Sequence, residues 1–240
     1  MNSIDKLKLL AGVPIEMSDF TCLVYPFTLK DIAILGSEKF FKYLNLLTIS
    51  KEEVKRVIGK ESVSSFDFIL LNCVGNDFFK NEFMQALKIF IREDILLVPD
   101  LECFIIGKFE DNRTLNKNNF NEFQFILQTQ NFLTDQKVEF RGEDEIARRI
   151  KEKLEKGRKK IQELKNLYDE NKIELADLIA SLAVNSSLNI DNIWNISYYA
   201  FNDQFKRMRI LEQYNTGLQS IMAGADPKKI NLQDWIQSIQ

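Results

Sequence analysis

IDNIWNISYYAFNDQFKRMRILEQYNTGLQSIMAGADPKKINLQDWI, residues 190–236, decides how this chain is read. Trp194, Tyr198, Phe201, Phe205, Met208 and Leu211 or Glu212 recur at steps of three or four, which places aromatic and apolar side chains on one face of a long helix. Asp203, Lys206, Arg207 and Arg209 fall on its polar face. Gly224 and Pro227 are stop signals, and a short amphipathic tail carrying Trp235 follows. Nothing in the segment forms a reaction centre. It is a surface made to pack, either on this chain or on another.

Upstream, residues 143–171 carry a narrow apolar stripe with Glu145/Arg149, Glu152/Lys156 and Glu155/Lys159 in the favourable Glu-first i,i+4 order. That predicts a long exposed helix, weakened at Gly157, which pairs with a shorter helix at 174–184. In the N-terminal half, FTCLVYPF (20–27) reads as a short strand. Thr28 then caps one helix running to about residue 48, and Ser50 with Glu53 forms a capping box for the next. SFDFILLNCV, DFFKNEFMQALKIFIRE and NFNEFQFILQTQNFL have helical spacing. ILLVPDLECFIIGKF predicts a hairpin around Pro99-Asp100, residues 110–119 a loop, and KVEFR (137–141) a strand. The expected fold is mainly α: helical and bundle-like, with a small β-hairpin or minor sheet in the N-terminal half. Two units are expected: residues 1–110, helical with minor β elements, and 116–240, helical with the long charged helix and the aromatic C-terminal helix.

Composition narrows the function. The 240 residues are 45% hydrophobic and 28% charged with a net charge of −3, so no global pull toward nucleic acid or anionic membrane exists. The first residues lack the h-region of a signal peptide, and no apolar run is long enough to span a bilayer. Cys22, Cys73 and Cys103 are widely spaced in apolar contexts and read as buried, reduced thiols. There is no histidine, which removes Ser–His–Asp and Cys–His catalysis and His-ligated zinc within these residues. No cofactor is expected.

The remaining chemistry is thin. Arg148, Arg149, Lys151, Lys153, Lys156, Arg158, Lys159 and Lys160 form a basic run, but Glu152 and Glu155 interrupt it and no aromatic is interleaved for base stacking. It reads as a solvated face, and nucleic acid is not the expected partner. Pro99-Asp100 with Asp135 and Lys137 mimics the PD…(D/E)xK pattern of Mg²⁺-dependent nucleases, a reading that requires the three side chains to converge. Gly107-Lys108 and Gly157-Arg158 lack the flanking glycines of a phosphate loop, and Ser50-Lys51 and Ser37/Lys39 fall at helix starts or on exposed faces.

Four blocks in order, YPFTLKDIAILGSEKFFKYLNLLT, FNEFQFILQTQNFL, EDEIARRIKEKLEKGRKKI and NIWNISYYAFNDQFKRMRILEQYNTGLQSIMAGAD…INLQDWI, resemble a family of tail-morphogenesis proteins of phages and prophages of Gram-positive bacteria, similar to tail assembly chaperones. The most specific block, 195–207, matches a pattern of the type NLTxYQFxDxxKR, and the closing MAGA…W also fits; EDEIA at 143–147 departs from the NEKAK frequent in such families. The resemblance implies a non-enzymatic phage tail assembly protein acting in the cytoplasm of an infected or lysogenic host. Its partners would be tape-measure or tail-tube subunits, held as amphipathic helical segments in an apolar groove. A virion structural component is the alternative. The residues expected to make the contact are Trp194, Tyr198, Tyr199, Phe201, Phe205, Arg207, Met208 and Trp235, unless that face is core.

Overall fold

The structure, a computed structural model, describes residues 4–18, 21–59, 63–133, 174–186 and 188–226. The predicted charged helix with its basic run, the 137–141 strand, Asp135, Lys137 and the tail with Trp235 lie outside the described residues. Among those described are nine α-helices and two small antiparallel sheets, so the chain is mainly α with a minor sheet.

Local signals set most of the elements. Helix α1, Lys6–Ala11, starts at Asp5, whose carboxylate accepts from the Leu7 amide, and ends at Gly12 in the left-handed region. Strands β1, Ile15–Glu16, and β2, Leu23–Val24, pair with Ile15 opposite Val24. The strand predicted over 20–27 therefore shrinks to two residues, and its partner β1 carried no alternation long enough to notice. Thr28 caps α2, Leu29–Leu35, in a reciprocal capping box with Asp31. The single helix predicted from 28 to 48 is in fact two. Gly36, at φ 90° and ψ 131°, ends α2, and α3 runs Ser37–Leu47. A side chain disfavours that backbone conformation, so the glycine supplies the kink. The change of axis lets Ile32, Phe40, Tyr43 and Leu44 all reach one core.

Helix α4, Lys51–Ile58, carries the Ser50/Glu53 capping box the sequence predicts. Helices α5, Ser65–Gly75, and α6, Asp77–Ile91, follow as expected, capped by Ser64 and Asn76. The hairpin is also present: β3, Ile95–Val98, and β4, Cys103–Ile106, flank a 3-10 turn at Pro99–Leu101. The predicted loop 110–119 hides a third strand, β5, Thr114–Leu115, which pairs with Phe104 and Ile105 and buries Leu115 completely. Then come α7, Phe120–Gln130, α8, Leu175–Asn185, and α9, Tyr198–Met222.

Phenylalanine builds the core in two linked groups. Phe27, Phe40 and Phe90 lie within 4.8–6.3 Å of one another, and Phe66, Phe83, Phe104 and Phe120 form a chain at 5.3–6.0 Å. Tilted and edge-on arrangements of this kind favour the ring quadrupoles. Gln124 and Gln130 on α7 donate to the carbonyls of Leu47, Ile49 and Val24, which ties α7 to the loop after α3 and to β2. The same core cluster takes in Ile179 and Leu182 of α8 together with Ile193 and Phe201. All three cysteines are buried and free, as predicted; burial pushes the Cys22 and Cys73 thiols up to about 12 and raises Cys103. No described helix is long and apolar enough to cross a membrane.

Candidate functional site

The aromatic helix begins later than the sequence spacing suggests. Trp194 sits in a 3-10 turn, Ile193–Asn195, and not on the helix. Ser197 caps α9, its hydroxyl accepting from the Ala200 amide at 3.1 Å. The same residue forms an isolated antiparallel bridge with Thr28, the cap of α2. Tyr198 N–H donates to Phe27 O at 2.8 Å and Leu29 N–H to Ile196 O at 3.0 Å. Two helices therefore start back to back from one clasp, which fixes the rotation of α9 about its axis.

That rotation turns the predicted stripe inward. Phe201 is 1% exposed and stacks between Tyr198 and Phe205 at 6.2 and 6.0 Å. Tyr198 meets Phe40 and Phe41 edge-on, and burial raises its hydroxyl above the usual tyrosine range. Phe205, Met208 and Trp194 are half-buried against the core. Tyr199 is buried on the other side against Phe132, with ring centroids 4.5 Å apart, and Lys206 lies over that same ring. Over its first turns the aromatic face is core. Phe201 in particular has no surface to offer a partner.

The polar face also needs correction. Asp203 is 2% exposed. Its Oδ2 accepts from Arg207 Nε at 2.7 Å, and its Oδ1 lies 3.5 Å from Lys6 Nζ on α1 but has no hydrogen-bond donor. Desolvation of Lys206 beside this cluster lowers its ammonium, opposed by the Asp203 charge. Sequence spacing placed Asp203 in solvent; α1 covers it instead.

Beyond Asp203, α9 carries a second seam that the sequence reading missed. Asp203, Arg207, Ile210, Tyr214, Gly217 and Ile221 alternate steps of four and three, the 3.5-residue repeat of a helix that receives another helix. They lie roughly half a turn around the helix from Phe201, Phe205 and Met208. From Arg207 onward none of them is fully buried, and their neighbours Leu211 and Met222 are exposed. The spacing was visible in the sequence, but the stronger aromatic stripe on the opposite face masked it.

Asp100 sits exposed in the hairpin turn, and no group of three or more Asp, Glu or Cys able to hold a metal occurs among the described residues. A cleft of about 450 Å³ borders α4 and is lined by Ser50, Glu53, Thr48 and Arg56 among others. Three of its polar groups already serve the fold: Ser50 and Glu53 close a capping box and Thr48 Oγ1 donates to Leu44 O. Ser50 and Ser37 both start helices, which accounts for them without a Ser–Lys dyad.

Residues 165–240, the segment holding α8 and α9, match the sequence model of a family described as the YomV second domain, a phage- and prophage-associated name. The affinity of this segment is phage-related. Neither curated proteins nor solved structures give a match to the chain.

Proposed function

We propose that this chain is a non-enzymatic phage tail assembly protein, a chaperone or adaptor that holds an amphipathic segment of a tape-measure or tail-tube subunit in the host cytoplasm. The observation that carries the reading is the seam from Arg207 to Ile221. It is a helix face of 3.5-residue repeat with no fully buried residue, on an element whose other face is locked into the core. The phage-related match over the same segment supports the setting. The contact residues then shift from the buried part of the stripe to Ile210, Tyr214 and Ile221, with Arg207 common to both sets.

The test is co-purification of neighbouring phage proteins with the tagged chain, comparing wild type with Tyr214→Asp and Ile221→Asp. Retained folding with loss of a tail protein supports the reading; unchanged recovery overturns it. Mass spectrometry of purified particles separates the chaperone from a virion component. A chaperone is missing from mature particles, and stoichiometric recovery there assigns the chain to the particle instead.

A further inference from the structure

Helix α1 covers the upper end of the α9 seam. Leu9 is its one buried side chain. Leu9, Tyr199 and Ala200 are all buried, yet none belongs to the main core cluster. The Ser197 hydroxyl reaches Leu9 O only at 3.5 Å. Lys6 approaches Asp203 Oδ1 at 3.5 Å without donating a hydrogen bond to it, so a carboxylate oxygen that is almost wholly buried has no donor. A buried anion with an unmet acceptor is a strong demand on whatever occupies the site. The seam from Asp203 to Ile221 is ~27 Å long, whereas six helical residues span ~9 Å.

We infer that α1 is an exchangeable strap, an internal stand-in for the partner helix at the head of the seam. The occupant is an amphipathic helix that presents a basic residue three positions before a leucine, as Lys6 and Leu9 do. Its cation completes Asp203 Oδ1, its leucine takes the place of Leu9, and, because α1 runs antiparallel to α9, the turns that precede its basic residue lie along Ile210, Tyr214 and Ile221. A guanidinium suits this role better than an ammonium, because it donates in a fixed fork and carries its charge with weaker hydration. Exchange gives a binder that hides its apolar seat until a client of the right charge arrives. This rests on the tail-assembly reading for the source of the client but not for the chemistry of the seat.

The experiment uses the full chain and a fluorescent peptide copying residues 1–14. Leu9→Ala and Gly12→Ala each loosen the strap: the first removes its buried side chain, the second forces a Cβ to 3.2 Å from Ser197 at a φ of +64°. Both variants are expected to bind the peptide about tenfold more tightly than wild type, and a peptide with Lys6→Glu is expected to lose that gain. Circular dichroism confirms that each variant remains folded, and if one does not, the other carries the comparison. In wild type, the α1 amides are expected to exchange with solvent well ahead of those at 201–205. Equal peptide affinity in wild type and both variants, α1 exchange only on global unfolding, or exchange of α1 between two copies to give a dimer would each overturn the strap. Peptide binding without any tail protein co-purifying would leave the seat standing and remove the tail-assembly reading; the reverse result would do the opposite.

Discussion

Arg207 Nε donates to Asp203 Oδ2 at 2.7 Å across one turn of α9, pairing a half-exposed guanidinium with a carboxylate that is almost wholly buried. The asymmetry decides which partner matters more. Removing Arg207 leaves a buried anion with only the more distant Lys6, whereas removing Asp203 leaves a cation that can turn to water. Arg207→Met is therefore expected to destabilise the chain by about 2–3 kcal/mol and Asp203→Asn by only about 1 kcal/mol. Asp203→Leu with Arg207→Leu is expected to cost less than Arg207→Met alone. Urea denaturation of the variants checks this, and additive losses would deny the coupling.

The helix caps at the clasp give a second prediction. Ser197→Ala removes the acceptor for the Ala200 amide, and Thr28→Ala removes that for Asp31. Each is expected to cost about 1 kcal/mol, and Ser197→Gly only a few tenths. A melting temperature lower by about 2–4 °C is the readout for each alanine variant.

The two faces of α9 should answer differently to substitution. Phe201→Ala opens a cavity among Tyr198, Phe205 and the core and is expected to cost about 3–5 kcal/mol. Tyr214→Asp and Ile221→Asp, on the seam, are expected to cost about 1 kcal/mol or less. Thermal melts rank the three, and comparable losses would place the seam inside the core.

The thiols provide a further contrast. With burial holding Cys22 and Cys73 up to about 12, neither carries appreciable thiolate at pH 8. A thiol-reactive dye is expected to leave both unmodified in the native chain and to label all three cysteines in urea. Rapid native labelling at Cys22 or Cys73 would contradict their placement.

Acid should weaken the chain through its capping boxes. Hydrogen bonds from the Ser50 amide and hydroxyl hold Glu53 below the usual glutamate range. Burial pushes Asp67 upward, but hydrogen bonds from Lys117 and from the Ser64 hydroxyl and amide outweigh it and leave the carboxyl lowered. A folded-state value below the unfolded one means that the stabilisation is complete above the unfolded value and lost as pH falls through the folded one. The denaturation midpoint is thus expected to decline below about pH 4, less steeply in Glu53→Gln and in Asp67→Asn. An acid limb unchanged by both substitutions would show that these caps do not titrate with folding.

What the sequence made legible was local. Thr28, Ser50 and Glu53 announce helix starts because a cap is satisfied within four residues, and the hairpin at Pro99-Asp100 is equally self-contained. The break at Gly36 was not legible, since a lone glycine inside helical periodicity is usually tolerated and only the packing of Ile32 and Phe40 on one core demands the kink. Asp203 shows the deeper limit. Its neighbours in sequence place it on a polar face, and its burial depends on Lys6 and Leu9 at the other end of the chain. The site was half legible for the same reason: residue type left the aromatic stripe open between core and contact, and the clasp at Ser197 makes its first turns core.

That clasp has a consequence for the order of events during synthesis. Thr28 and Ser197 emerge from a ribosome far apart in time, yet the carbonyl of Phe27 accepts from the Tyr198 amide and the ring of Tyr198 completes the packing of Phe40. Pairings of such long sequence separation are completed last. Until then the nascent N-terminal half carries uncovered phenylalanine surface, the kind that host holdases recognise. Under the proposed function, a guardian of other chains thus begins its own life needing one.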